Sequence, residues 1–278
     1  MACSLALTLF LALPGQPLST GPIVLAPPLS EDADVRMAYM KDTVAAYRIH
    51  RRAAGSPLFK LQPEPIFRLD NPVTGVRDSA FFFWTDPETG RPEVTIQMFR
   101  APTKYWIHDW TSLSTSPIVA EVGSAPRWWP KVGVEFRPVP DAPVPAATPT
   151  ARLRQIRALA DEFSATDDFL KKGWSRLRLM PKPWLRYGKA GSAVDDGALF
   201  AFALGTEPEV ALMIESRPDP SVGQRWEYAL APLTSFELKV SRKGTVVWTL
   251  PWSGFSKDPA YRFYDMYYSR EPDAPNLE

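Results

Sequence analysis

Two histidines, His50 and His108, and one cysteine, Cys3, are the only imidazole and thiol groups in these 278 residues. His108 lies in Trp106-Ile-His108-Asp109-Trp110. Period-two alternation puts it on the face of Trp106 and Trp110, so a packed, hydrogen-bonded histidine is expected. His50 lies in Arg48-Ile-His50-Arg51-Arg52 and reads as the basic end of a helix, where cations meet the helix C-terminus favourably. No G-x-S-x-G, Walker A or G-x-G-x-x-G motif occurs, and no cofactor is called for. Gly188-Lys189-Ala190-Gly191-Ser192 lacks the strand–loop–helix context of a phosphate loop and reads as a hairpin loop. A transition-metal site would have to rest largely on carboxylates. The remaining chemistry is that of Asp and Glu, and a pair of them roughly 5–10 Å apart could hydrolyse a glycoside.

The polar residues of interest recur. Leu61-Gln-Pro63-Glu-Pro65-Ile-Phe-Arg68-Leu69 returns as Leu179-Met-Pro181-Lys-Pro183-Trp-Leu-Arg186-Tyr187, a step of 118 (179 − 61). Asp78-Ser-Ala80-Phe-Phe82 returns as Asp196-Gly-Ala198-Leu-Phe200 at the same step, and Glu93 returns as Glu209. Such recurrence predicts two copies of one structural unit. Arg68 and Asp78 flank a loop between adjacent strands, as do Arg186 and Asp196. They either pair locally to fix strand register or converge on a duplicated polar site. All four are therefore binding candidates.

The aromatic residues recur too. Trp106 pairs with Trp226 and Trp128 with Trp248, and repetition at strand positions favours a core role. Trp128-Trp129, next to Pro130, is the best candidate for an exposed pair that stacks on sugar rings.

The elements that would carry these residues follow from periodicity. Residues 31–137 read as a helix ending near Arg51 to Gly55, followed by a meander of short strands. Residues 138–149 hold five prolines, Pro138, Pro140, Pro143, Pro145 and Pro149, and read as a semi-extended linker. Residues 150–252 repeat the plan, with Thr148 or Thr150 as helix cap and Leu153, Ile156, Ala160 and Phe163 as its apolar stripe. Residues 253–278 open on Asp258-Pro259, a helix start, and are too aromatic to stay undocked. The expected fold class is α+β: two tandem helices, each packed on an antiparallel β-meander, cystatin-like by analogy.

Composition narrows the function. Lys and Arg total 32 and Asp and Glu 31, a balance that argues against nucleic acid as a partner. Residues 1–20 hold an apolar run of the length of a signal-peptide core, too short to span a bilayer, followed by an extended leader at 21–30. Export is expected, and no transmembrane helix in the mature chain.

Residues 150–252, and more faintly the first unit, resemble uncharacterised exported proteins of planctomycete-type bacteria. The resemblance rests on Glu162-Phe163-Ser164, Leu177 to Tyr187, Asp196 to Phe202, Gly205 to Glu209 and Arg225 to Ala229. It implies export and carries no activity or site residues. The expected function is a non-catalytic exported protein that binds an envelope protein or glycan. The alternative is a carboxylate-dependent, glycosidase-like hydrolase with its cleft between the repeats.

Overall fold

A computed structural model describes residues 33–72, 76–100, 105–252 and 264–270. The signal peptide and leader expected from the sequence lie outside the described residues. In chain order the first half gives α1 (Ala33–Ala45), β1 (Tyr47–Arg51), β2 (Lys60–Leu61), β3 (Phe67–Asn71), β4 (Val76–Thr85), β5 (Pro92–Arg100), β6 (Tyr105–Ser112), β7 (Ile118–Val122) and β8 (Ala125–Trp128). The second gives β9 (Arg137–Pro138), α2 (Pro149–Ala160), β10 (Phe163–Asp168), β11 (Ser175–Leu179), β12 (Leu185–Tyr187), β13 (Asp196–Leu204), β14 (Glu207–Asp219), β15 (Gly223–Pro232), β16 (Glu237–Arg242), β17 (Thr245–Leu250) and β18 (Tyr264–Arg270).

The expected α+β plan is overturned. Strands take 51% and helices 13%, in large curled antiparallel sheets rather than two helices on a β-meander. The reason lies in the apolar runs. Phe81 and Phe83 face one way from β4, while Ala80, Phe82 and Trp84 face the other, and all are buried. In β13, Leu199 and Ala201 likewise oppose Ala198, Phe200 and Phe202. Strands covered on both faces need layers on both sides, which a single helix cannot provide.

Three sheets provide those layers. One runs β18-β6-β5-β4-β2, with β3 also on β4. Another runs β17-β16-β10-β11-β13-β14-β15-β9, with β12 on β13. The third is β1-β7-β8. The first two meet face to face through a shared core that includes Phe81, Phe83, Leu113, Leu199, Met213 and Leu233. Outside it, α1 and β1-β7-β8 close over Trp84, Trp110 and Trp128. On the far side, α2 and the curled β10-β16-β17 end close over Phe200, Leu212 and Trp226.

Several boundaries differ from expectation. The first helix stops at Ala45, and Tyr47–Arg51 is a strand paired with β7. Tyr47 and Ile49 are buried and Arg48 is exposed, a period of two that outweighs the preceding helical spacing. His50 therefore sits on a strand and not at a helix end. The second helix is capped by the Thr148 side chain, which accepts from the Ala151 N–H. Phe163 belongs to β10 rather than to the helical stripe. The proline-rich stretch is packed as well as extended: Val139 is buried and the Pro140 carbonyl accepts from Arg242 at 2.6 Å. Asp258-Pro259 lies outside the described residues, and beyond it Tyr264–Arg270 is a strand on β6, not a helix. Among the described residues no helix is long and apolar enough to cross a membrane.

Candidate functional site

Arg68, Asp78, Arg186 and Asp196 do not converge. Each Arg–Asp pair is local. Arg68 lies opposite Ala80 and Arg186 opposite Ala198, so each arginine reaches an aspartate at the start of the neighbouring strand. Arg68 Nε meets Asp78 Oδ1 at 2.7 Å, and Arg186 Nη2 meets Asp196 Oδ2 at 2.7 Å. A second arginine completes each set from the helix: Arg36 of α1 on Asp78, and Arg152 of α2 on Asp196 at 2.8 Å. The strand arginines also tie down the first turn of each helix, donating to Ala33 O at 2.9 Å and Pro149 O at 2.6 Å. These sets are clasps that fix a helix to a sheet. The helix arginines escaped sequence reasoning, although they keep the halves' spacing.

Trp128 is buried (1% exposed) and stacks on Trp110 with ring centroids 5.4 Å apart. Trp129 is half-buried. The pair is therefore not an open aromatic platform. His108 is buried and hydrogen-bonds the Tyr47 hydroxyl through Nδ1 at 2.8 Å. Burial pushes its pKa down to about 3, so the ring is neutral and serves packing.

The expected carboxylates are buried between layers. Glu93 Oε1 accepts from Arg51 Nη2 at 2.9 Å and Arg91 Nη1 at 3.0 Å. Arg91 Nε reaches Glu215 at 2.8 Å, and the Tyr187 hydroxyl donates to the same oxygen at 2.9 Å. Burial alone would lower the Arg91 pKa, but Glu215 and Glu93 outweigh it and raise it. Burial, then Glu215, push Tyr187 well up.

Glu209 has the opposite surroundings. Its carbonyl accepts from Leu233 N–H at 2.8 Å, just as that of Glu93 accepts from Leu113 N–H at 2.8 Å. Positions 51, 91 and 93 step by 116 onto 167, 207 and 209. Asp167 and Glu207 stand at that step from Arg51 and Arg91. Burial first, then Glu207, Asp167 and Asp109, push the Glu209 carboxyl well above its ordinary range, partly offset by the Thr234 hydroxyl. Asp167 is raised to about 6, chiefly by burial and further by Asp168. Both acids are shut away, at 0% and 1% exposure, and the space between the two large sheets is filled by side chains. A hydrolase needs such groups in a cleft that substrate can enter.

The open chemistry is elsewhere, on the outer face of β11-β10-β16-β17. Alternation turns Leu177 inward and Arg176 and Arg178 outward. Arg176 and Lys239 flank Thr166 on either side. Trp174, 42% exposed, carries the Lys239 ammonium 3.7 Å from its ring centre. Asp168 and Glu237 face each other across β10 and β16, and Asp168 already accepts from Gly173 N–H at 2.8 Å. Among the described residues no hydrogen bond or ion pair holds the Arg176 or Arg178 guanidinium.

Beside these arginines the sheet splits. β11 pairs with β10 through Ser175–Leu177 and then with β13 through Arg178 and Leu179. The split leaves a groove of about 390 Å³ lined by Phe163, Leu177 and Phe202 together with Asp161, Arg176 and Arg178. Sequence alternation from Trp174 to Leu179 carried the signal for this face. Attention to the recurrent residues passed over it. No protein-family model, curated protein or solved structure matches the chain.

Proposed function

We propose that this chain is an exported, non-catalytic binding protein that holds an acidic glycan on the outer face of β11-β10-β16-β17. The observation that carries the reading is the pair of exposed guanidinium groups, Arg176 and Arg178, uncommitted among the described residues, that line a groove of mixed polar and apolar walls. Guanidinium forks match carboxylate geometry, and arginine desolvates at lower cost than lysine. Trp174 adds a half-open ring face next to them, suited to a sugar ring. Export is supported by the apolar N-terminal run in the sequence. The buried carboxyls argue against the hydrolase alternative.

Titration with polygalacturonate, followed by tryptophan fluorescence, tests this. Binding is expected to weaken as salt rises and to fall at least about tenfold in the double variant Arg176→Ala/Arg178→Ala. Uncharged dextran is expected not to bind. Equal binding of both polymers, no binding of polygalacturonate, or an unchanged affinity in the double variant would each overturn the reading.

A further inference from the structure

Lys239 stands on β16 between buried Leu238 and Val240, so alternation turns it outward. Thr166 of β10 separates its place from that of Arg176 on β11. Two strand spacings therefore set the Lys239 and Arg176 backbones about 10 Å apart. The lysine side chain does not stay over its own strand. It reaches back across β10 and lays its ammonium 3.7 Å from the centre of the Trp174 ring, immediately ahead of β11. A cation–π contact extends to about 6 Å, so the ammonium is seated on that face of the ring. Among the described residues it makes no hydrogen bond and no ion pair. The ring that it covers is otherwise open, at 42% exposure.

A sugar that stacks on this face of the ring must first displace the ammonium. A neutral sugar offers the displaced charge nothing in exchange. A uronate offers its carboxylate, and a charge-assisted hydrogen bond takes the place of the lost contact. We propose that Lys239 is the selectivity gate of the outer face: it closes the Trp174 ring to neutral sugars and leaves the ring for the carboxylate of an acidic one. The gate rests on the reading that this face binds an acidic glycan, and it adds the residue that rejects the uncharged competitor. Lifted from the ring, Lys239 falls into a row across the sheet with Arg176, with Thr166 between them and Thr249 beyond. The row then presents two cations to the acidic chain, and the uncovered ring takes the face of a sugar. Specificity here comes from an obstacle to the wrong ligand as well as from attraction to the right one.

The test uses polygalacturonate and the same polymer with its carboxyls methyl-esterified, titrated calorimetrically into wild type and Lys239→Ala at one low salt concentration. Alanine removes both the charge and the stem that covers the ring. Wild type is expected to bind the acid form at least about tenfold more tightly than the ester. In Lys239→Ala the ester should gain about tenfold, the worth of one freed aromatic contact, and the acid form should lose at least about threefold. Adding Trp174→Ala to Lys239→Ala should abolish the gain. No gain for the ester in Lys239→Ala, a gain that survives Trp174→Ala, or an unchanged affinity for the acid form would each overturn the gate and leave the acidic-glycan reading standing. Wild type that binds neither polymer, or binds both alike, overturns the acidic-glycan reading and the gate with it.

Discussion

Glu93 and Glu209 accept the same backbone bond, from Leu113 and Leu233, yet one is enclosed by arginines and the other by acids. The two glutamates thus share a backbone role but not their electrostatics. Arg91 ties one sheet to the other through Glu215, whereas Glu207 at the matching place is held by the neutral amides of Asn71 and Gln97.

Arg91→Met is expected to be the costliest change at the sheet interface. It leaves Glu215 and Glu93 buried without their shared cation, and the Glu215 side chain is fully enclosed. Removing one partner of such a pair costs about 3–5 kcal/mol. Tyr187→Phe removes only a hydroxyl donor to Glu215 and should cost about 1–2 kcal/mol. Urea unfolding of the two variants checks the order.

The clasps predict a graded response. Asp196→Asn keeps the shape but strips the counter-ion from Arg152 and Arg186 at once, and should cost about 2–3 kcal/mol. Arg186→Met, at a third-exposed side chain, should cost about 1 kcal/mol. Combining Arg152→Met with Asp196→Asn should cost less than the sum of the two changes made separately. A double-mutant cycle by urea denaturation measures that coupling, and strict additivity would show that the clasp contributes nothing.

Two buried groups pull the pH dependence in opposite directions. His108, lowered to about 3, binds its proton less readily when folded, so its contribution is present above pH 6.5 and is lost as pH falls toward 3. Asp167, raised to about 6, gives stability that is full below pH 3.8 and is lost as pH rises through 6. From about pH 4.5 to 6 the raised carboxyls of Asp167 and Glu209 act together against His108, and wild-type stability is expected to fall as pH rises. Asp167→Asn removes one of the two acids, and its profile should fall less steeply with rising pH than that of the wild type. Urea midpoints at four or five pH values test this, and NMR of the ring protons should show no His108 titration above about pH 4.

How far the sequence reveals this molecule depends on whether a residue's role is local. Arg68 with Asp78 and Arg186 with Asp196 could be found by spacing because strand pairing brings them together within ten residues of chain. Thr148 announced its helix for the same reason. The helix-plus-meander fold failed because alternation in β4 and β13 shows apolar residues on both faces without saying what covers them. Asp167 gave no local sign, since its raised carboxyl comes chiefly from burial that the surrounding strands impose. Trp128 matched the core role that its recurrence suggested, and its burial removes the open Trp128-Trp129 pair.

Gly133 and Gly123 separate steric from conformational need. A Cβ added at Gly133 would lie 2.1 Å from the backbone oxygen of Ser112 and 2.4 Å from its carbonyl carbon. Backbone cannot swing aside, so alanine must push the segment off the end of β6. The Gly133 N–H also donates to Ser114 O at 2.9 Å, a bond that the same displacement breaks. Gly123 has φ +62° and nothing within 4 Å of an added Cβ, so alanine there meets only left-handed strain. Gly133→Ala is expected to cost about 3 kcal/mol and Gly123→Ala about 1 kcal/mol. Denaturation midpoints of the two variants measure the difference. Equal costs would mean that the chain at 133 yields without disturbing β6, and that the close approach to Ser112 does not hold the segment in place.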